Sequence, residues 1–143
     1  MFLGEYRHSL DYKGRLAVPK KFRKDLGSEA ILTRGLDGCL FLYSKQPWEK
    51  LTTKMEQLPL TQADARSFAR YLFGSASQVN FDRLGRVAIP GYLKEYANLD
   101  KSAIFVGVLE RIEIWDEKRW KAVEKKFASS AEIAAERLKE AGI

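Results

Sequence analysis

A chain of 143 residues that is 45% hydrophobic and 31% charged can bury its own core, and it is too mixed to read as low-complexity or disordered. Lys and Arg outnumber Asp and Glu by 25 to 19, so the net charge of +6 favours an anionic partner, either nucleic acid or an acidic membrane surface. The single cysteine, Cys39, excludes an internal disulfide framework, the single histidine, His8, excludes a histidine-built metal centre, and no apolar run reaches the roughly 20 residues of a spanning helix.

In chain order, Met1 to Arg15 already alternates polar and apolar residues, which reads as strand and not as a secretion signal. With the one thiol fitting a reducing compartment, the expectation is a soluble, cytoplasmic protein. Asp11-Tyr12-Lys13-Gly14 has the form of a type I turn, and Gly14 also suits a three-residue hairpin closed by a bulge. A second short strand leads to Pro19, which fits the first turn of a helix bearing Phe22 and Leu26 on one face and ending at Gly27. Ala30–Thr33 and Leu40–Tyr43 flank Gly35-Leu36-Asp37-Gly38, a hairpin signal. Ser44 then stands at the N-cap of a helix carrying Trp48 and Leu51. Thr61 to Phe73, with Ala65, Phe68, Ala69 and Leu72 near one face, reads as a linking helix.

From Asp82 the order repeats. Asp-Tyr-Lys-Gly-Arg-Leu-Ala-Val-Pro at 11–19 matches Asp-Arg-Leu-Gly-Arg-Val-Ala-Ile-Pro at 82–90. Leu93 and Ala97 take the places of Phe22 and Leu26, and Asn98 takes that of Gly27, the other residue at ease in a left-handed helix end. Ala103–Val106 and Arg111–Trp115 repeat the strand pair, and Asp116, Trp120 and Val123 repeat Ser44, Trp48 and Leu51. The offset is 71 at the start and 72 at the end, so a small insertion lies between. A last helix is expected from about Ser130 to Ala141. The organisation read from this is a first repeat over 1–55, a linking helical segment over 56–77, a second repeat over 78–127 and a C-terminal helix over 128–143. The fold class is α+β and mainly β, a tandem pseudo-twofold repeat with short flanking helices around one shared core.

The chemistry lies at the repeated turns. Asp11 and Arg15, and Asp82 and Arg86, face each other across a hairpin mouth, with Gly14 and Gly85 closing the turns. An arginine held by such a carboxylate is a pre-organised planar fork, suited to a phosphate or to the O6/N7 edge of guanine. Residues 11–24 carry six cations against one carboxylate, while the second copy sets Arg83, Arg86 and Lys94 against Asp82 and Glu95, so copy one should contribute more affinity for DNA. The same pattern also serves simply to fix a turn, and the lysines of 20–24 also read as a solvated helix face. Trp48, Trp120, Phe22 and Leu93 read as core. No nucleophile–base set, metal cluster or phosphate-cradling glycine loop occurs, and an arginine four residues after each Asp keeps those carboxylates ionised and unfit to share a proton. Neither an enzyme nor a bound cofactor is expected.

Two Asp-x-x-x-Arg motifs about seventy residues apart, in a chain opening Met-Phe-Leu-Gly-Glu-Tyr, resemble the MraZ family. The resemblance runs from that opening through both Gly-Arg-x-Ala-[Val/Ile]-Pro segments to the second Trp-containing helix, and says least beyond about Ala128. It implies an AbrB- and MazE-like fold, the double-split β-barrel with swapped hairpins, in which 1–55 and 78–127 are the two AbrB-like repeats. It also implies a bacterial transcription factor, associated with the nucleoid, that assembles into rings. Such a protein binds short direct repeats of double-stranded DNA in the promoter of the division and cell wall gene cluster. The family motif falls on Asp11, Arg15, Asp82 and Arg86. On this reading Arg15 and Arg86 read guanine edges or anchor phosphates, and Asp11 and Asp82 orient them. Lys13, Arg83, Lys20 and Arg23 contact phosphates, giving a steep salt dependence, and a ring turns weak single contacts into avidity. No membrane or small-molecule partner is expected. The competing class is a protein-interaction module, an antitoxin-like subunit whose basic face meets an acidic protein.

Overall fold

Alternation sets the first strand: β1 (Phe2–Ser9) turns Phe2, Tyr6 and His8 inward and leaves Leu3, Glu5 and Arg7 to solvent. The computed structural model describes all 143 residues. After β1 come β2 (Arg15–Ala17), α1 (Lys20–Leu26), β3 (Ala30–Arg34), β4 (Leu40–Ser44), α2 (Lys45–Glu56) and α3 (Ala63–Phe73). The second half follows with β5 (Ser77–Val79), β6 (Arg86–Ala88), α4 (Gly91–Tyr96), β7 (Ser102–Leu109), β8 (Arg111–Asp116) and α5 (Glu117–Arg137). A single 3-10 turn, Lys139–Ala141, ends the chain. The architecture is α+β, with mainly antiparallel sheet, as expected from the sequence.

The strands form a six-stranded sheet of order β1-β7-β8-β4-β3-β5 and a separate two-stranded ribbon, β2-β6. Exchanging the two repeats reverses the sheet order onto itself, so a pseudo-twofold axis passes between β4 and β8. In that pair Leu40 faces Ile114, Leu42 faces Ile112, and Phe41 faces its own counterpart Glu113. In the ribbon Leu16 faces its counterpart Val87. The first strand of each repeat lies against the other repeat, β1 on β7 and β5 on β3. The turn at Asp11 therefore does not close a long hairpin of its own. Only Leu10 and Leu16 bridge across it, and β2 leaves to pair with β6. Neither sheet closes on itself.

The central strands are buried on both faces, which is why β4 reads as a continuous apolar run. On one face Leu40, Leu42, Phe105, Ile112 and Ile114 join Leu16, Val18, Phe22, Val87 and Leu93 in the main core. On the other, Phe41, Tyr43, Ile104 and Trp115 meet Trp120, with Trp48, Leu51 and Val123 packed beside them from α2 and α5. The expected core residues Phe22, Leu93 and Trp120 are buried, and Trp48 is half-buried against Tyr43 and Phe73.

Three local expectations need adjustment. The separate last helix expected from Ser130 is the outer half of α5, which runs unbroken from Glu117 to Arg137. The Ala-Ser-Ser-Ala stretch holds no Pro or Gly to stop it, and Ser129 and Ser130 both bond back to the Lys126 carbonyl. Asp116 caps α5 by accepting the Arg119 amide at 3.2 Å, whereas Ser44 holds the cap position of α2 without a side-chain bond. Pro19 and Pro90 stand one residue earlier than expected, at the N-cap positions of α1 and α4. No helix is long and apolar enough to cross a membrane.

Candidate nucleic-acid interface

Both Asp-x-x-Gly-Arg segments fold into the same turn, atom for atom. Gly14 donates to the Asp11 carbonyl at 3.1 Å and Gly85 to the Asp82 carbonyl at 3.0 Å. Asp11 and Asp82 each donate to the carbonyl of their own arginine, Arg15 or Arg86, at 2.9 Å. This is a three-residue loop closed by a glycine bulge, and both glycines adopt φ +73, which a side chain would strain. The carboxylate completes each turn. Asp11 Oδ1 accepts the Lys13 and Arg15 amides, both at 2.9 Å, and Oδ2 accepts Arg15 Nε at 2.6 Å. Asp82 does the same with the Leu84 and Arg86 amides at 2.9 Å and with Arg86 Nε at 2.7 Å.

The two turns are joined through the β2–β6 ribbon. The Val18 amide donates to the Gly85 carbonyl at 3.0 Å, and the Ile89 amide donates to the Gly14 carbonyl at 3.1 Å. Arg86 Nη1 also lies 3.6 Å from Asp11 Oδ2. Arg86 thus spans both carboxylates, while the terminal nitrogens of Arg15 make no bond within the protein. An exposed Asp–Arg pair is worth under about 1 kcal/mol. What the arrangement achieves is orientation, with the guanidinium fixed by Nε on a side chain that is 28% exposed at Arg15 and 26% at Arg86.

Lys13, Arg83, Lys20, Lys21 and Lys24 are exposed around these turns in sequence, whereas Arg23 is half-buried and donates through Nε to the Val18 carbonyl at 2.8 Å. Sequence reasoning passed over two residues here, Tyr12 and Leu84. Both stand exposed at the turn tips, and Lys94, counted above among the cations of the second copy, reaches the first turn with its Nζ 3.9 Å from where a Gly14 Cβ would stand. The repeat register pairs it with Arg23, because an offset of 71 maps Arg23 onto Lys94. A surface groove lined by Phe2, Leu26, Pro47 and Leu109 among others includes no residue of either turn. No group of His, Cys, Asp and Glu is arranged to hold a metal ion. Cys39 is buried, and that burial pushes its thiol far above the ordinary range.

Both turn carboxylates are held below the usual carboxylate range. At Asp11 partial desolvation pushes upward and is outweighed by the Arg15 amide and guanidinium and the Lys13 amide. At Asp82 the Arg86 amide dominates against desolvation, helped by the Arg86 guanidinium and the Leu84 amide. A carboxylate lowered on folding stabilises the fold above its unfolded value, and that contribution is lost as pH falls through the folded value. The melting temperature is therefore expected to drop on acidification below about pH 4, and an Asp11→Asn, Asp82→Asn double variant should lose part of that dependence. An unchanged acid profile in the variant would show that these carboxylates do not brace the fold by titration.

Comparison with known proteins agrees with this doubled geometry. The family model described as "MraZ protein, putative antitoxin-like" matches twice, over residues 1–71 and 72–141. The transcriptional regulator MraZ of Acetivibrio thermocellus is 46% identical over 143 residues, covering both chains in full. That of Moorella thermoacetica is 46% identical over 138 residues, 96% of each chain. That of Ligilactobacillus salivarius is 50% identical over 132 residues, 92% of this chain and 90% of its own. Matches in tandem across nearly every residue, and relatives of the same length near half identity, leave one conclusion: the chain belongs to the MraZ family, a family of transcriptional regulators and not of enzymes.

Proposed function

We propose that this protein regulates transcription by binding double-stranded DNA through its two arginine turns. The observation that carries the reading is their identity of construction. Two carboxylate-held guanidinium groups stand partly exposed on turns joined by one ribbon, in a chain with an excess of cations. Arg15 and Arg86 contact guanine edges or phosphates, Asp11 and Asp82 orient them, and Gly14 and Gly85 shape the turns. Lys13, Arg83, Lys20 and Arg23 contact phosphate. The exchanged strands and crossed ribbon support a double-split, swapped-hairpin barrel as the scaffold, with boundaries near 1–55, 56–77, 78–127 and 128–143. Assembly into a ring, binding to short direct repeats in the promoter of the division and cell wall gene cluster, and nucleoid association complete the proposal. The outer half of α5 leaves Phe127 and Ile133 exposed, with Leu138 exposed just past its end, apolar surface that supports assembly between copies.

Anisotropy titration against a duplex with tandem direct repeats, a scrambled duplex and a salt series tests the reading. Affinity should rise with repeat number and fall with salt, with a log–log slope of roughly 0.9 per phosphate contact. Equal, weak binding to both duplexes would make the positive charge generic and favour an acidic protein partner.

A further inference from the structure

Resting on the DNA-binding reading above, we infer that each turn is a composite of both repeats, and that Arg23 belongs to the site of the second turn, not the first. The short helix α1 carries Arg23 away from the Asp11 turn and onto Gly85. Val18 fixes it there from both sides of one residue. Its amide donates to the Gly85 carbonyl at 3.0 Å, and its carbonyl accepts Arg23 Nε at 2.8 Å. The guanidinium is laid so closely on Gly85 that a Cβ at that position would collide with Arg23 Cζ, Nη1 and Nε. Gly85 is thus required for its positive φ, and any side chain there would also have to displace the Arg23 guanidinium. With Nε engaged, the terminal nitrogens of Arg23 have no partner within the protein.

The pseudo-twofold mate completes the pattern. Lys94 of α4 leans on Gly14, its Nζ 3.9 Å from where a Cβ would stand, and the Ile89 amide bonds the Gly14 carbonyl as Val18 bonds Gly85. Lys94 makes no hydrogen bond within the protein, so the two braces differ: a fixed fork on the second turn and a free ammonium on the first. The second turn has fewer cations nearby in sequence, and Arg23 places a bidentate donor beside it. Arg23 therefore positions the Asp82 turn and binds the backbone phosphate next to the base or phosphate that Arg86 contacts.

The test uses the full chain and two readouts. Amide hydrogen exchange on the free protein compares the Leu84 and Arg86 amides with the Lys13 and Arg15 amides in Arg23→Ala and Arg23→Lys variants. Both variants should speed exchange at Leu84 and Arg86 and leave Lys13 and Arg15 unchanged. In DNA titrations Arg23→Ala should weaken binding about tenfold. Added to Arg86→Ala it should cost less than about twofold more, but it should multiply fully with Arg15→Ala. Arg23→Lys should restore the salt slope without restoring amide protection. Faster exchange at Lys13 and Arg15, or full multiplication with Arg86→Ala, would overturn the assignment. If the native chain binds no duplex the DNA reading itself fails, while the exchange pattern still decides whether Arg23 holds the second turn.

Discussion

Arg15→Ala is expected to weaken specific binding to the repeat duplex sharply while leaving the fold intact. A bidentate arginine–guanine contact is worth about 1–3 kcal/mol, or roughly 5- to 150-fold in affinity per site. If several copies engage successive repeats, that factor recurs at each contact and avidity collapses. Arg15 should matter more than Arg86, because both its terminal nitrogens are free, whereas Arg86 Nη1 faces Asp11 at 3.6 Å. The first turn also stands among more cations than the second. Loss of one half-exposed ion pair should shift the melting temperature by only a few degrees, on the order of 4 °C. Normal binding by the variant would make the motif structural and displace Arg15 from the site.

Phe105→Ala is expected to cost about 3–5 kcal/mol, a large share of the 5–15 kcal/mol that holds a typical domain. Phe105 is fully buried in β7, facing Tyr6 of the first repeat on one side and Ile114 on the other. Its ring also meets His8 edge-on at 5.7 Å. The lesion lies in repeat two, yet urea unfolding should remain one transition, coincident by circular dichroism and tryptophan fluorescence. The reason is that β1 and β5 each complete the other repeat, so neither half has a sheet or core to itself. Residues 1–71 alone should accordingly show no cooperative transition. Two separate transitions in the variant, or a folded half-chain, would show that the repeats are independent units.

Much of this molecule is local chemistry and was legible in the residues. The duplication, the Asp-x-x-Gly-Arg turns, the helix ends at Gly27 and Asn98, the cap at Asp116 and the linking helix all depend on contacts within a few positions. Asn98 does adopt a positive φ, 55°, as Gly27 does at 70°. The orienting bonds from Asp11 and Asp82 to their own arginines follow equally from spacing. The continuity of α5 is not legible locally, because only the helical turns on either side show Ser129 and Ser130 to lie within one helix.

Tertiary structure decided what crosses between the repeats. Strand alternation says which face of β1 is apolar, but β1 could satisfy that pattern on β2 or on β7, and the choice rests on a core assembled from both halves. The same exchange carries Arg23 to Gly85 and Lys94 to Gly14, and sets Arg86 between two carboxylates. Spacing along the chain cannot report these contacts, because they join residues about 60 to 80 positions apart whose proximity is fixed only when the shared core closes. Each turn's own bonds were therefore determined by the sequence directly, and the joining of the two turns into one surface by packing across the pseudo-twofold axis.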